Sequence, residues 1–225
     1  MSSPTRTSAV LFSGGLDSAV LLALEQTRHD QVLPIHVRAG LAWEDTEARA
    51  IGRLLACPPF DHATLPPRTL GVDMRDVYPP THWAITGHPP AYDTPDEDVY
   101  LEGRNIVLIS KAAVLCARLG IERLVLGPLQ GNPFPDATPQ FFDTMARAMS
   151  LGLAHPFAIA APLADRHKAD VVKLGLELRV PLELTMSCMN PSGDDHCGRC
   201  SKCRERHDAF KAAGITDPTT YATAC

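Results

Sequence analysis

The sequence predicts an α/β fold in which a doubly wound, mostly parallel sheet carries helices on both faces. Apolar, strand-like runs alternate with segments of helical periodicity along most of the chain, which is the pattern of repeated β/α units. A glycine-rich turn joins the first predicted strand to the first predicted helix. Four cysteines crowd into residues 188–203, so we expect a principal domain over residues 1–180 and a C-terminal helical, four-cysteine subdomain over residues 181–225.

The first half of the chain predicts two strands and two helices, followed by an unpatterned connection. The apolar run at residues 8–12, bounded by paired glycines, predicts a strand. Apolar residues at helical spacing predict a helix over residues 18–27, and a second apolar run predicts a strand over residues 31–37. Residues 44–56 alternate apolar and charged side chains at helical spacing, which predicts a further helix. The proline-rich stretch 58–102 has no such pattern, and a connection of that length is typically functional or mobile.

The second half of the chain resumes the alternation. Residues 104–120 form a strongly apolar helical pattern that stops at a glycine, and RLVLG at residues 123–127 predicts the next strand. Helical spacing predicts a helix over residues 139–150, and the apolar residues 157–161 predict another strand. Residues 165–178, DRHKADVVKLGLEL, predict one more helix ahead of the cysteines.

Composition favours a globular protein that acts in the cytoplasm. The 225 residues are 45% hydrophobic and 21% charged, enough to bury one substantial core. The formal charge of -5 gives no electrostatic reason to expect a nucleic-acid partner. No apolar stretch reaches the ~18 residues of a membrane span, and the polar start lacks the order of a signal peptide, so we expect no membrane partner.

The stretch LFSGGLDSAVLL, residues 11–22, places a flexible, polar turn where a parallel sheet binds ligands. Gly14 and Gly15 let backbone N–H groups approach a phosphate closely, and Ser13 and Ser18 add hydroxyl donors. The turn has neither the Gly-Lys-Ser/Thr of a P-loop nor the G-x-G-x-x-G of dinucleotide folds. The alternative interpretation is a glycine turn whose serine or aspartate only caps a helix.

Ser-Gly-Gly-x-Asp-Ser after a first strand resembles the pyrophosphate loop of ATP pyrophosphatases, which cleave ATP between its α- and β-phosphates. The resemblance implies an adenine-nucleotide alpha-hydrolase-like fold. It also implies that Asp17 binds Mg²⁺ or shapes the loop, because the departing pyrophosphate needs cationic neutralisation. The candidate nucleotide-binding residues in the loop are Ser13, Gly14, Gly15, Leu16, Asp17 and Ser18.

The cysteine cluster predicts one tetrahedral zinc ion per chain. Its spacing is C-x8-C-x2-C-x2-C, and four thiolates leave no open coordination position, so the zinc is expected to be structural. Arg199, Lys202 and Arg204 can offset the thiolate charge. An iron–sulfur cluster and a pair of disulfides are the alternatives, the latter suited to a secreted protein. The predicted ligands are Cys188, Cys197, Cys200 and Cys203.

Taken together, the motifs resemble the 7-cyano-7-deazaguanine synthase family over nearly the whole chain. The resemblance is carried by FSGGLDSAVLL, EGRNIVLISKAA, PLADRHKADVVKLG and HCGRCSKCRERHDAF, followed by AGITDPTTYA. It implies that 7-carboxy-7-deazaguanine is adenylated by ATP, converted to the amide by ammonia, activated again and dehydrated to the nitrile. It places Ser13, Asp17 and Lys168 in catalysis and Arg104 at the nucleotide. Taken singly, Arg104 can equally be a surface charge at a helix start, and Lys168 a solvated helix residue.

Departures from the family pattern lie near the expected acceptor site. Pro135 and Asp136 match a family run, and Asp136 is the candidate reader of a guanine-like edge. Elsewhere this chain has other residues than the family pattern. Ala137-Thr138 stand where Cys-Arg is expected, and His36-Val37-Arg38 stand where Tyr-Gly-Gln is expected. Met186 and Met189 stand where aromatic residues are expected around the first cysteine.

These departures keep three alternatives open. The first is a paralogue that stops at the amide or modifies another amine, including one on a protein, in a defence or conjugation system. The second is a tRNA-thiolating relative. The third is a zinc-stabilised nucleotide-binding module without turnover. The oligomeric state, homodimer included, is left open.

Overall fold

The fold is built on a five-stranded parallel sheet, seen in a computed structural model that describes residues 6–223. The strands are β1 (Thr7–Leu11), β2 (Gln31–Arg38), β3 (Arg68–Gly71), β4 (Arg123–Val125) and β5 (Ala158–Ala160). They lie in the order β3-β2-β1-β4-β5, and each neighbouring pair is parallel. The predicted α/β class is therefore confirmed.

Helices connect the strands along the described part of the chain. They are α1 (Leu16–Gln26), α2 (Glu44–Leu55), α3 (Phe60–Ala63), α4 (Trp83–Thr86), α5 (Arg104–Leu119), α6 (Pro139–Leu153), α7 (Lys168–Glu177) and α8 (Ser201–Ala213). Short 3-10 turns lie at Asp96–Val99, Pro135–Ala137 and Leu182–Leu184. The predicted strands and helices are all present, and α7 starts later than expected because His167 and Asp170 cap it reciprocally.

The side chains of β1 alternate between two cores, because successive residues of a strand point to opposite faces of the sheet. Val10 packs with Val20 of α1 and Val171 of α7. Ala9 packs on the other face with Ile109 of α5 and Phe142 of α6. The predicted helices on both faces are therefore confirmed.

The strand order reverses between β1 and β4. The chain moves outward from β1 to β2 and β3, then returns to place β4 and β5 on the other side of β1. In open α/β sheets the crevice outside the carboxyl ends of the strands at such a reversal binds ligands. The loops after β1 and β4 both line a cavity there.

A fully buried carboxylate fastens the opposite end of the sheet. Glu25, on α1, accepts a hydrogen bond from Ser8 Oγ at 2.8 Å and two from the guanidinium of Arg123 at 3.2 and 3.3 Å. Ser8 lies on β1 and Arg123 begins β4, so the carboxylate joins a helix to two adjacent strands. Its acceptor oxygens are satisfied despite burial, as a buried charge requires.

The stretch 58–102, expected to be functional or mobile, is folded against the cysteine segment. It contains β3, α3 and α4, which the sequence pattern did not reveal. β3 is a four-residue edge strand with only Leu70 partly buried, so it has no alternating apolar signal. Met74, Tyr78 and Val99 share a third core with the four cysteines of residues 188–203.

Packing is continuous across the predicted domain boundary at residue 180. Val180, Leu182 and Phe210 belong to the same core as α1. The division into residues 1–180 and 181–225 stays a prediction. In the described residues, no helix combines the length and apolar character needed to cross a membrane.

Candidate active site and metal centre

The loop after β1 is held in shape from two sides. Gly14 has φ +76°, in the left-handed region that favours glycine, and a Cβ there would lie 3.0 Å from Cγ1 of Ile51 on α2. The Gly14 carbonyl accepts a hydrogen bond from the backbone N–H of Met186 at 2.8 Å. The loop is thus fixed between α2 and the segment that leads to the first cysteine of the cluster.

The loop's polar groups face the cavity at the head of α1. Ser18 Oγ donates to the Gly15 carbonyl at 3.0 Å and lies 3.4 Å from Ser13 Oγ. The N–H of Gly15 donates to Ser13 Oγ at 3.4 Å. Because free N–H groups and the helix dipole meet at a helix N-terminus, this arrangement suits a phosphate. The predicted loop residues that line the cavity are Ser13, Gly15, Leu16, Asp17 and Ser18, whereas Gly14 lies behind them against α2.

A chain of alternating charges runs from the loop to α8. Lys168 Nζ lies 2.5 Å from Asp17 Oδ2 and 2.9 Å from Glu205 Oε1, and Lys202 Nζ lies 2.6 Å from Glu205 Oε2. Burial alone would lower the pKa of Lys168, but the carboxylates of Asp17 and Glu205 outweigh it and raise that pKa. Burial would raise the pKa of Glu205, but the charges of Lys168 and Lys202 outweigh it and hold that pKa well below its usual range. Both pKa shifts favour the charged forms of Lys168 and Glu205 at neutral pH.

Two polar atoms beside the cavity are buried without a hydrogen-bond partner among the described residues. They are Asp17 Oδ1 and Arg104 Nε. Both residues line the cavity. An unpaired buried donor or acceptor is costly, so these atoms indicate that a ligand completes the site.

The structure gives Asp136 a partner within the protein. Asn105 donates its backbone N–H to Oδ2 at 3.0 Å and its side-chain amide to Oδ1 at 3.2 Å. Asp136 is 5% exposed, and burial raises the pKa of its carboxyl despite these hydrogen bonds and the nearby charge of Arg104. Its neighbours Phe134 and Ala137 line the cavity, so Asp136 lies in the wall behind them. A substrate-reading role for Asp136 stays a prediction.

The cavity has a volume of 340 Å³ and an aromatic wall that the motifs did not indicate. The rings of Trp43 and Trp83 are stacked with centroids 5.7 Å apart and planes 11° apart. Phe134, stacked on Tyr100, adds a third ring to the lining. Flat apolar surfaces of this kind suit a planar heterocycle.

His36, on β2, lines the same cavity. Its Nε2 is 3.4 Å from Glu47 Oε2, and both side chains are buried and line the cavity. Glu47 lies on α2, one turn before the isoleucine that packs against Gly14. Met186 and Met189, on either side of the first cysteine of the cluster, line the cavity as well.

The four predicted cysteine ligands come together in one buried cluster. The Sγ atoms of Cys188, Cys197, Cys200 and Cys203 all lie within 4.8 Å of one another. Individual Sγ pairs are separated by 3.6 to 3.9 Å, which suits tetrahedral coordination with metal–sulfur distances of about 2.3 Å. Backbone N–H groups of Asn190 and Arg199 donate to Sγ atoms at 3.3 Å and would stabilise thiolates. The cluster can therefore bind a metal ion.

The backbone around the cluster requires glycine at position 198. Gly198 has φ +74°, and a Cβ there would lie 2.1 Å from the carbonyl oxygen of Thr223. Thr223 Oγ1 donates to the Cys197 carbonyl at 2.6 Å. The final described residues therefore fold back over the loop between the second and third cysteines.

Arg206 joins α8 to the rest of the C-terminal region. Its guanidinium is 1% exposed and donates to Thr185 Oγ1 at 2.8 Å, to the Leu182 carbonyl at 2.7 Å and to Thr219 Oγ1 at 2.5 Å. It also lies over the ring of Phe210, 5.3 Å from the centroid. Arg206 of the motif CRERHDAF thereby contacts Thr219 of the motif DPTTYA.

Comparison with known proteins gives consistent matches along the chain. Residues 7–214 match the family model described as "Queuosine biosynthesis protein QueC". A 7-cyano-7-deazaguanine synthase of Methanopyrus kandleri is 35% identical over 232 residues, which cover 96% of this chain and 98% of that protein. Its counterpart in Azoarcus sp. strain BH72 is 34% identical over 94% of this chain and 95% of its own length. A crystal structure of a 4-thiouridine synthetase in complex with RNA and ATP shares the fold, with a TM-score of 0.50 and 17% identity over 96% of this chain and 47% of that one.

Proposed function

This chain belongs to the QueC family of queuosine biosynthesis proteins, and from that membership we propose that it is an ATP-dependent ligase that makes 7-cyano-7-deazaguanine. Its substrates are 7-carboxy-7-deazaguanine, ATP and ammonia. The observation that carries the proposal is the composition of one cavity. Phosphate-binding groups after β1, the cations of Lys168 and Arg104, and a wall of stacked aromatic rings all line it.

The reaction needs ATP because a carboxylate is a poor acyl donor. Its oxygen attacks the α-phosphorus of ATP, the bond to the bridging oxygen of the β-phosphate breaks, and pyrophosphate leaves with the electron pair. Ammonia then attacks the acyl adenylate and AMP departs, giving the amide. The amide oxygen then attacks the α-phosphorus of a second ATP, and pyrophosphate and one proton leave. Breaking the carbon–oxygen bond to AMP, with loss of the remaining nitrogen proton, leaves the nitrile.

The residues of the cavity are assigned roles by charge and position. Ser13, Gly15 and Ser18 hold the phosphates with N–H and hydroxyl donors, with Gly14 shaping the backbone and Leu16 anchoring the head of α1 in the core. Lys168 and Arg104 stabilise the charge that develops on the departing pyrophosphate.

Magnesium would accompany ATP at Asp17. One carboxylate oxygen of Asp17 contacts Lys168, and the other is buried without a partner, so it is available as an oxygen ligand. When bound, the ion supplies charge neutralisation for the phosphates. Asp17 also orients Lys168, whatever ion is present, through their 2.5 Å contact.

We assign the cysteine cluster to one structural zinc ion. Sulfur atoms within 4.8 Å of one another suit a single ion, because an iron–sulfur cluster must fit several irons and sulfides between its cysteines. Elemental analysis of purified protein should find close to one zinc per chain, and strong chelation should lower its thermal stability. Iron in active protein, or active protein without metal, would contradict this assignment.

The decisive experiment is mass analysis of the products formed from 7-carboxy-7-deazaguanine with ATP, Mg²⁺ and ammonia. We expect the nitrile, with AMP and pyrophosphate as co-products. A product that stops at the amide would instead show an amide-forming enzyme. If the acid is neither consumed nor adenylated while the protein binds ATP, the proposed substrate is wrong.

A further inference from the structure

Lys202 occupies an unusual position, since it links the metal centre to the cavity. It is the second residue of α8 and lies between the candidate ligands Cys200 and Cys203. Its sequence position suggested a charge that offsets the thiolates. Its ammonium group instead lies 2.6 Å from a carboxylate oxygen of Glu205, and the side chain lines the same cavity as Ser13 and Asp17.

Glu205 holds two lysines side by side. Its Oε1 contacts Lys168 at 2.9 Å and its Oε2 contacts Lys202 at 2.6 Å. One carboxylate therefore joins both ammonium groups, each through a different oxygen. The bridge therefore fixes the position of Lys202 relative to Lys168.

Lys202 retains more donor capacity than Lys168. An ammonium group has three N–H donors. Lys168 uses two of them, on Asp17 and Glu205, whereas Lys202 makes its single ion pair within the described residues with Glu205. Lys202 is 29% exposed in its side chain, against 18% for Lys168, so its remaining donors can reach a ligand in the cavity.

We propose that Lys202 is a further phosphate-binding residue, which contacts the pyrophosphate moiety of ATP during adenylate transfer; this inference rests on the proposed function. Glu205 is then a positioning residue for the two lysines. When the bond between the α-phosphorus and the bridging oxygen breaks, that oxygen keeps the electron pair and pyrophosphate gains negative charge. A second ammonium group beside Lys168 stabilises this charge by a charge-assisted hydrogen bond.

The arrangement also gives the metal centre a part in nucleotide binding. Cys200 and Cys203 flank Lys202, so a metal held by these cysteines fixes the first turn of α8. That turn determines where the Lys202 side chain leaves the backbone. Loss of metal should therefore weaken pyrophosphate binding through the displacement of Lys202.

The test compares the binding of two ligands by the metal-loaded, full-length protein. Isothermal titration calorimetry would measure dissociation constants for pyrophosphate with Mg²⁺ and for AMP. We expect Lys202→Met to weaken pyrophosphate binding roughly 10- to 100-fold and to leave AMP binding unchanged within about twofold, because one charge-assisted hydrogen bond is lost. Lys211→Met, an exposed lysine of the same helix, is the matched control and should leave both constants unchanged.

Conservative variants keep the test independent of folding. Lys202→Arg should bind pyrophosphate nearly as well as the wild type, and Lys202→Gln takes the place of Lys202→Met if that variant loses metal. Glu205→Gln should lower kcat more than it changes pyrophosphate affinity. Releasing the lysines weakens binding, but removing the negative charge of Glu205 from beside the pyrophosphate opposes that loss. A uniform loss of binding and turnover would show that Glu205 is merely structural.

The inference is overturned if Lys202→Met binds pyrophosphate as the wild type does, or loses AMP and pyrophosphate affinity equally. Neither ligand requires the deazapurine acid. Suppose that the wild type binds pyrophosphate more tightly than Lys202→Met but does not consume the acid. That result would contradict the proposed substrate alone. A wild type that consumes the acid, with normal pyrophosphate binding by Lys202→Met, would contradict this inference alone.

Discussion

Replacing Arg206 by methionine should act mainly by destabilising the protein. Methionine retains a long apolar stem against Phe210 but removes the guanidinium and its hydrogen bonds to Thr185, Thr219 and the Leu182 carbonyl. Thr185 Oγ1 still donates to the Leu182 carbonyl at 2.6 Å, so that pair stays partly satisfied. Arg206 does not line the cavity, and its loss should act through stability.

The expected cost is about 3 kcal/mol. Arg206 donates four hydrogen bonds, of which the three at 2.8 Å or less contribute ~1 kcal/mol each and the one to Ser187 Oγ at 3.4 Å adds little. The cation–π contact with Phe210 adds ~1 kcal/mol. Burial disfavours the charge of Arg206 and lowers its pKa, so removing that charge offsets part of the lost stability. For a chain of this size, each kcal/mol corresponds to roughly 2–4 °C in Tm, so the variant should melt about 6–12 °C lower.

Urea unfolding and thermal melting of the metal-loaded protein would measure this difference, with Arg147→Met, on an exposed site of α6, as the control. Hydrogen exchange should show where the stability is lost. The N–H of Ala222 donates to the His196 carbonyl at 2.8 Å, in the segment that Arg206 contacts through Thr219, so this N–H should exchange faster in the variant. A variant that melts with the wild type and protects Ala222 equally would refute the reasoning.

Other expected outcomes concern the loop, the sheet and the metal centre. Asp17→Asn and Ser13→Ala should each lower turnover by at least ~10²-fold with unchanged melting, and near-normal turnover would remove that residue from the mechanism. Glu25→Gln should reduce the free energy of unfolding by about 3 kcal/mol in urea titrations, because it removes the charge of a fully buried carboxylate from its ion pair with the partly buried Arg123; a loss below ~1 kcal/mol would contradict this. Gly198→Ala should speed metal release to a chromogenic chelator roughly tenfold, since its Cβ would collide with Thr223, and an unchanged rate would show that the turn adjusts freely.

Most of the sheet was predictable because its central strands are buried runs next to clear helical patterns. β1 and β2 each contain an apolar run and are buried over nearly their full length, and α5 ends at a glycine in the left-handed conformation. β3 was not predictable because, of its four residues, only Leu70 is even partly buried, and α4 is a single turn, too short to show a helical period. Tertiary packing against the cysteine segment forms them instead.

The candidate site also has a part that could be predicted from the sequence and a part that could not. The loop and the cysteines are local motifs, so their residues could be identified before the structure was known. The charge chain through Glu205, the stacked Trp43 and Trp83, and the pair of His36 and Glu47 join residues that are distant in sequence. No local pattern specifies such contacts, and the burial of Asp136 behind Phe134 could not be foreseen either.

The hydrogen bond between Gly14 and Met186 has a consequence for biosynthesis of the protein. A ribosome delivers the chain from its N-terminus, so the loop after β1 emerges long before the segment that fixes it. A nascent chain that ends before residue 186 contains the whole loop motif but lacks the contact that holds its backbone, as well as Lys202 and the cysteines. We therefore expect nascent chains to acquire nucleotide affinity late and abruptly, once α8 has been translated and has folded onto the loop.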